Sequence, residues 1–168
     1  MNYYTIFCDA SAHPQSKIGV GAYLLLNQSY QQIESFTFIP TEANVNNCKS
    51  KVFANTSSTK CELQTFLWVI DDIKDKLIEP YSITFCTDSQ GITSLERRKA
   101  KLLKSNFNNY NGVKLHNAEF YKEFYELQEK YKFNVIKVKG HSPTSQKTTI
   151  TSIFSIIDKF TRNELRGN

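Results

Sequence analysis

The sequence predicts an α/β fold: a five-stranded mixed sheet, made of an antiparallel meander plus parallel strands and flanked by helices. Three strand-like segments with short connections open the chain, which is typical of a meander. An amphipathic helix and a fourth strand follow. A strand–helix–strand crossover of this kind places the fourth strand parallel to the first.

The first three strands are expected at residues 3–9, 19–27 and 32–39, where aromatic, β-branched and apolar residues predominate. Pro40 should stop the third strand. Residues 41–58 are rich in Asn, Ser, Thr and Lys and are predicted to form a long loop.

A helix is predicted after this loop, because apolar residues recur there at helical spacing. They are Leu63, Phe66, Leu67, Ile70, Ile73 and Leu77. Pro80 ends the helical region, and a fourth strand is expected at 81–88.

The second half of the chain should contain three helices and one strand. We expect a short basic helix at 96–104, a helix at 115–132, the fifth strand at 134–139 and a final helix at 150–166. The basic helix is either a solvated surface or a surface that contacts phosphates.

Composition narrows the class of protein. A chain of 168 residues with 40% apolar and 22% charged residues predicts one soluble globular domain spanning 1–168, which we expect to be monomeric. It has no apolar run long enough for a membrane span and no signal-peptide pattern, and its four cysteines form no C-x-x-C pair. These features favour a cytoplasmic protein and exclude a zinc site of ordinary spacing. The net charge of +5 permits a polyanionic partner.

Two predicted strands end on carboxylates, Asp9 and Asp88. If the strands are parallel, both acids lie at the edge of the sheet where ligands bind in such folds. Either acid alone could simply begin a turn. Together they would repel each other unless a cation lay between them.

Two helices contribute further acids. Glu62 lies one turn before Phe66, near the face of the helix that packs on the sheet. The alternative is that Glu62 only stabilises the start of the helix, because a negative charge there interacts favourably with the helix dipole. Asp158 falls inside an apolar stretch and is predicted to point inward; the alternative is an ion pair with Arg162.

These acids belong to segments that together resemble ribonuclease H of type 1 over nearly the whole chain. The matching segments are Ile6-Phe7-Cys8-Asp9-Ala10-Ser11 with Gly19-Val20-Gly21-Ala22; Thr59-Lys60-Cys61-Glu62-Leu63; Thr87-Asp88-Ser89-Gln90; Val138-Lys139-Gly140-His141-Ser142; and Ile157-Asp158-Lys159 with Arg162-Asn163-Glu164-Leu165-Arg166. The resemblance implies a ribonuclease H-like fold. It also implies a metal-dependent endonuclease that cleaves the RNA strand of RNA–DNA hybrids.

The resemblance also implies roles for single residues. Asp9, Glu62, Asp88 and Asp158 would hold two Mg²⁺ or Mn²⁺ ions, with Asp9 shared between them, and His141 would assist proton transfer or product release. Candidate substrate contacts are Ser11, Ser58, Thr59, Ser89 and Gln90.

The chain departs from many family members in two places. Its only tryptophan is Trp68, so the basic segment 97–104 lacks the tryptophans that often accompany it, and the stretch from His141 to Asp158 is longer than usual. Two alternatives stay open: a non-catalytic nucleic-acid-binding module on the same fold, and a related nuclease that acts on another structured nucleic acid.

Overall fold

A computed structural model of the chain describes residues 1–36, 47–140, 143, 145 and 147–168. Its five-stranded sheet consists of β1 (Asn2–Ala12), β2 (Gly19–Leu26), β3 (Lys49–Phe53), β4 (Tyr81–Thr87) and β5 (Asn134–Lys137). The strands lie in the order β3-β2-β1-β4-β5. β2 pairs antiparallel with β1 and β3, whereas β4 pairs parallel with β1 and β5. The predicted mixed sheet is therefore confirmed.

Six helices accompany the sheet in the described part of the chain. They are α1 (Tyr30–Ser35), α2 (Ser58–Ile73), α3 (Gln90–Thr93), α4 (Leu95–Lys104), α5 (Ala118–Tyr131) and α6 (Thr149–Arg166). A short 3-10 turn at Lys74–Lys76 extends α2. The helices predicted from apolar spacing correspond to α2, α5 and α6, and the basic segment forms α4.

The third predicted strand is wrong, because residues 30–35 form α1. A capping box starts this helix: Ser29 Oγ accepts a hydrogen bond from the Gln32 backbone N–H, and Gln32 Oε1 accepts one from the Ser29 N–H. Ile33, 2% exposed, anchors the helix in the core. Residues 37–40 lie outside the described residues.

The true third strand, β3, lies inside the segment predicted to be a loop. It forms the edge of the sheet, and its first four residues are exposed. Lysines on an exposed edge strand discourage pairing with other chains. The same lysines remove the apolar pattern by which a strand is recognised in sequence.

Both faces of the sheet are covered. On one face, α2 and α5 enclose an aromatic cluster in which the ring of Phe66 lies 4.2 Å from that of Phe85, with Phe124 and Phe133 beside them. On the other face, a second cluster joins α6 to Phe7, Leu24 and Cys86. Strands apolar on both sides are what such a sheet requires. No helix among the described residues is long and apolar enough to cross a membrane.

Candidate active site

Asp9 and Asp88 lie side by side near the carboxyl ends of two neighbouring parallel strands. The first strand was predicted to end at Asp9, but β1 continues to Ala12, so Asp9 lies inside it, and Asp88 directly follows β4. Phe7 is in register with Cys86, so two residues further along each chain Asp9 stands beside Asp88. Adjacent strands are separated by about 4.8 Å. The two predicted strand-end carboxylates are therefore brought together.

The environment of Asp9 strongly opposes its ionisation. Burial, followed by the negative charge of Asp88, raises the pKa of Asp9 from 3.8 to about 8. The charges of Asp158 and Glu62 raise this pKa further, while a backbone hydrogen bond from Ala10 lowers it. The other three predicted acids thus all act on Asp9 within a single site.

Glu62 reaches this site from α2. The helix begins at Ser58, with Ser57 Oγ accepting from the Lys60 N–H as the N-cap, so Glu62 is beyond the first turn. Ser89 Oγ donates a 2.6 Å hydrogen bond to Glu62 Oε2. Burial raises the pKa of Glu62, the Ser89 hydrogen bond opposes that rise, and the charge of Asp88 adds to it. This position favours a role in the acidic site over one at the helix dipole.

Asp158 reaches the site from α6, on the opposite face of the sheet. Arg162 Nη2 lies 2.7 Å from Asp158 Oδ2, so the ion pair considered as an alternative is present. The carboxylate also raises the pKa of Asp9 and is therefore close enough to act on the site. The ion pair and the position near Asp9 occur together.

Gly140 brings the segment that follows β5 against Asp88. A Cβ atom on Gly140 would lie 2.6 Å from Asp88 Oδ2, so only glycine fits without displacing that carboxylate. His141 follows directly in sequence but lies outside the described residues, and its role stays a prediction. A glycine between a strand and the predicted histidine was the only sequence signal for this contact.

The candidate substrate contacts differ in their surroundings. Ser11 lies near the end of β1, while Ser58 and Thr59 are exposed at the start of α2. Ser89 is 4% exposed and faces Glu62; it also accepts from the Ile92 N–H as the N-cap of α3. Gln90 Oε1 accepts a hydrogen bond from Lys137 Nζ, a partner that nothing in the sequence indicated.

The basic helix α4 lies apart from the acids, beside a groove of about 560 Å³. Arg97 and Lys101 line this groove, together with the almost fully exposed Tyr110. Arg98 also stacks over the ring of Tyr121. Both interpretations of this helix, a solvated surface and a phosphate contact, stay open.

The donor chemistry of the acidic site fits a divalent cation. Four carboxylates supply the hard oxygen ligands that Mg²⁺ and Mn²⁺ prefer. A cation would offset both the burial of the Asp9 charge and its repulsion by the other acids, which together raise the pKa of Asp9. Within the described ranges, no three Asp, Glu, His or Cys side chains are already arranged as a metal cluster. Glu62 is engaged by Ser89, and Asp158 by Arg162. The Ser89 hydrogen bond uses only Oε2 of Glu62 and can orient this carboxylate toward a cation, whereas Arg162 would compete with a cation for Asp158.

Comparison with known proteins supports the fold and the family. The RNase H family model matches residues 1–151, a range that contains Asp9, Glu62 and Asp88 but not Asp158. No curated protein matches the chain.

Several solved structures share the fold. LC9-RNase H1, a type 1 RNase H with the type 2 active-site motif, is 12% identical with a TM-score of 0.68, over 99% of this chain and 73% of that chain. The PFV RNase H domain is 16% identical with a TM-score of 0.66, over 99% and 94%. The foamy viral protease-reverse transcriptase in complex with an RNA/DNA hybrid is 11% identical with a TM-score of 0.64, over 99% of this chain and 20% of that chain.

Proposed function

This chain belongs to the ribonuclease H family, and we propose that it is a metal-dependent endonuclease that hydrolyses the RNA strand of RNA–DNA hybrids. The observation that carries the proposal is the position of Asp9. It stands beside Asp88 at the carboxyl edge of the sheet, and burial together with the charges of three other acids raises its pKa. A site that assembles four carboxylates from four separate elements is suited to binding cations and, through them, a phosphodiester.

Each acid has a proposed task. Asp9 would be the ligand shared by two ions, Glu62 and Asp88 would complete the ligands of one ion, and Asp158 would complete those of the other. When bound there, two Mg²⁺ or Mn²⁺ ions supply the charge that activates water and offsets the charge on the leaving 3′ oxygen. Ser89 orients the Glu62 carboxylate through its 2.6 Å hydrogen bond.

Other residues would handle protons and substrate. We assign His141 to proton transfer or product release, so His141→Ala should slow turnover without abolishing it. Ser11, Ser58, Thr59 and Gln90 remain candidate contacts to the substrate backbone and 2′-hydroxyls. Ser89 is a weaker candidate for direct contact, because its hydroxyl is already bonded within the protein. Recognition of the hybrid would depend mainly on its shape.

One observation favours the alternative of a non-catalytic module. Glu62 and Asp158 are both engaged by protein partners, and Asp158 lies beyond the residues that match the family model. A chain that binds the hybrid but never cuts it would use the same surface without ions. We retain the expectation of a monomeric, cytoplasmic, single-domain protein for either function.

A cleavage assay separates these functions. One labelled sequence is prepared as hybrid, duplex RNA and duplex DNA, and each is incubated with Mg²⁺, Mn²⁺ or EDTA beside an Asp9→Asn control. We expect metal-dependent cutting of only the RNA strand in the hybrid, and no cutting by the control. Binding without cutting under every condition would contradict the proposal, and cutting of the other duplexes would favour the related nuclease.

A further inference from the structure

A basic groove runs along α6 beside Asp158. It encloses about 320 Å³ and is lined by Lys139, Lys147, Ser155, Asp158, Lys159 and Arg162. We call it the α6 groove. It lies on the face of the sheet opposite α2 and α5, away from the basic helix α4, and it begins at one of the four acids of the proposed site.

The α6 groove is strongly positive. Four cationic side chains line the groove with one carboxylate, Asp158, and Arg162 forms an ion pair with it. No carboxylate of the described residues lies within ion-pair distance of the three lysines. Positive charges gathered in a cleft raise the local concentration of anions. The site therefore favours an anionic ligand over a neutral or cationic one.

A second recess continues the groove along the outside of α6. It encloses about 570 Å³, shares Lys147, Ser155 and Lys159 with the first, and adds Phe160 and Asn163. This recess adds no further cation, because its two lysines are those of the α6 groove and its other lining residues are neutral. A lysine ammonium is a compact point charge and lacks the planar, two-pronged donor geometry of arginine. Lysines therefore suit the repeated phosphates of a nucleic-acid backbone better than a single carboxylate in a fixed orientation.

We infer that the α6 groove binds the phosphate backbone of the strand that occupies the active site, beyond the linkage that is cut. This inference rests on the proposed function, because it takes Asp158 as the point where the strand enters the acidic site. The contacts are electrostatic and independent of base sequence. The groove would lengthen the bound stretch of the substrate on the α6 side.

The test compares two double variants that remove the same charge. Lys147→Ala/Lys159→Ala removes two lysines from the α6 groove. Lys74→Ala/Lys130→Ala removes two lysines from a groove of about 380 Å³ between α2 and α5, where Asp71, Asp75 and Glu123 balance the charge. Both pairs are placed in an Asp9→Asn background so that hybrid binding is measured without cleavage.

Affinity for a fluorescent hybrid is measured over a range of salt concentrations. Each lysine that neutralises a phosphate contributes about 0.7 to 0.9 to the slope of log K against log salt, so its removal should lower the slope by that amount. We expect the α6-groove variant to bind several-fold more weakly at low salt, with the slope reduced by about 1.5, and the control to keep the parental slope. Equal slopes in the two variants would overturn the inference.

A second series locates the contact. Uncharged methylphosphonate linkages are introduced one at a time on either side of a mapped cleavage position. The background protein should lose affinity at positions on one side of that linkage, and the α6-groove variant should be insensitive at the same positions. If both proteins lose equal affinity at every position, the groove does not hold the strand.

The outcome is distinguishable from failure of the proposed function. The unmodified chain is assayed for hybrid cleavage in the same preparation. If it cuts the hybrid while the α6-groove variant keeps the parental slope, only the groove assignment fails. If it neither cuts nor binds the hybrid, the proposed function fails and the groove assignment fails with it.

Discussion

Arg162 Nη2 lies 2.7 Å from Asp158 Oδ2, so one of the four acids is held by a cation from the next turn of its own helix. The Asp158 side chain is 20% exposed, which leaves the pair partly screened. An exposed pair of this spacing contributes only about 0.5 kcal/mol to stability. Its larger consequence is that Arg162 and a divalent cation would compete for the same carboxylate.

The first prediction concerns this competition. Arg162→Met should destabilise the metal-free protein slightly and increase the rise in melting temperature produced by Mn²⁺, because Asp158 no longer has this competing partner. The measurement is thermal unfolding with EDTA and with increasing Mn²⁺. Arg166→Met, in the last turn of the same helix, is the control. A rise equal to that of the unmodified protein would show that the ion pair does not limit metal binding.

The second prediction concerns pH. The folded-state pKa of Asp9 is raised to about 8 from 3.8, so the folded protein holds this proton more tightly than the unfolded chain does. Without metal, the free energy of unfolding should therefore fall as pH rises from about 4 to about 8. Asp9→Asn removes this penalty. It should be the more stable protein at about pH 8.5, by on the order of 2 kcal/mol, and equally stable near pH 4.

Urea unfolding in EDTA at several pH values measures this effect. Asp75→Asn, on the 3-10 turn far from the acidic cluster, is the matched control and should follow the unmodified protein. Adding Mg²⁺ at high pH should stabilise the unmodified protein more than Asp9→Asn. If Asp9→Asn has the same pH dependence of stability as the unmodified protein, Asp9 is not the carboxylate whose ionisation destabilises the fold.

The sequence predicted the centre of the fold better than its edge. β1 and β4 are covered on both faces, so both carry continuous apolar residues, and their predicted parallel pairing is present. It brings Asp9, inside β1, beside Asp88, which directly follows β4. β3 is held by pairing with β2, and its lysines face solvent. The sequence of β3 therefore lacks the apolar run that marks β1 and β4, because this strand is stabilised by pairing with a distant segment and not by its own residues.

The error at residues 32–39 has a local cause. Phe36 and Phe38, with Thr37 between them, resemble strand alternation. The preceding residues follow a different local signal, because the reciprocal bonds between Ser29 and Gln32 start a helix there. At the site, residue types indicated the acids, whereas the Ser89–Glu62 bond and the approach of Gly140 depend on how distant segments meet. Sequence spacing does not contain that information.

The third prediction concerns Ser89. Ser89→Ala removes both the hydrogen bond to Glu62 and the N-cap of α3, so the free energy of unfolding should fall by about 1 to 2 kcal/mol. Activity should fall mainly in kcat, because Glu62 loses its orientation while the other candidate substrate contacts are unchanged. The control is Ser94→Ala, a buried serine whose hydroxyl donates to the Gly91 carbonyl. Equal loss of kcat in both variants would reduce Ser89 to a structural residue.

The fourth prediction uses two glycines that differ in their distance from the acids. On Gly140 an added methyl group would lie 2.6 Å from Asp88 Oδ2, which forces the carboxylate to move. On Gly91 the same methyl group would lie 3.7 Å from Ser89 Oγ and 3.8 Å from Glu62 Oε2, which is ordinary contact. Gly140→Ala should therefore lower kcat by at least about tenfold, since misplacing a catalytic group by about 1 Å can cost about a hundredfold. Gly91→Ala, inside α3, should remain close to the parent in both activity and stability.

Cleavage rates of both variants are measured at saturating hybrid, and their stability is measured by urea unfolding. Together these measurements distinguish a change in the active site from a loss of folded protein. We expect Gly140→Ala to weaken metal binding as well, seen as a smaller Mn²⁺-induced rise in melting temperature than in Gly91→Ala. Weaker metal binding is expected because the added methyl group would move the Asp88 carboxylate away from its present position beside Asp9. If Gly140→Ala keeps full activity and the full response to Mn²⁺, Asp88 tolerates displacement and is not a fixed ligand of the site.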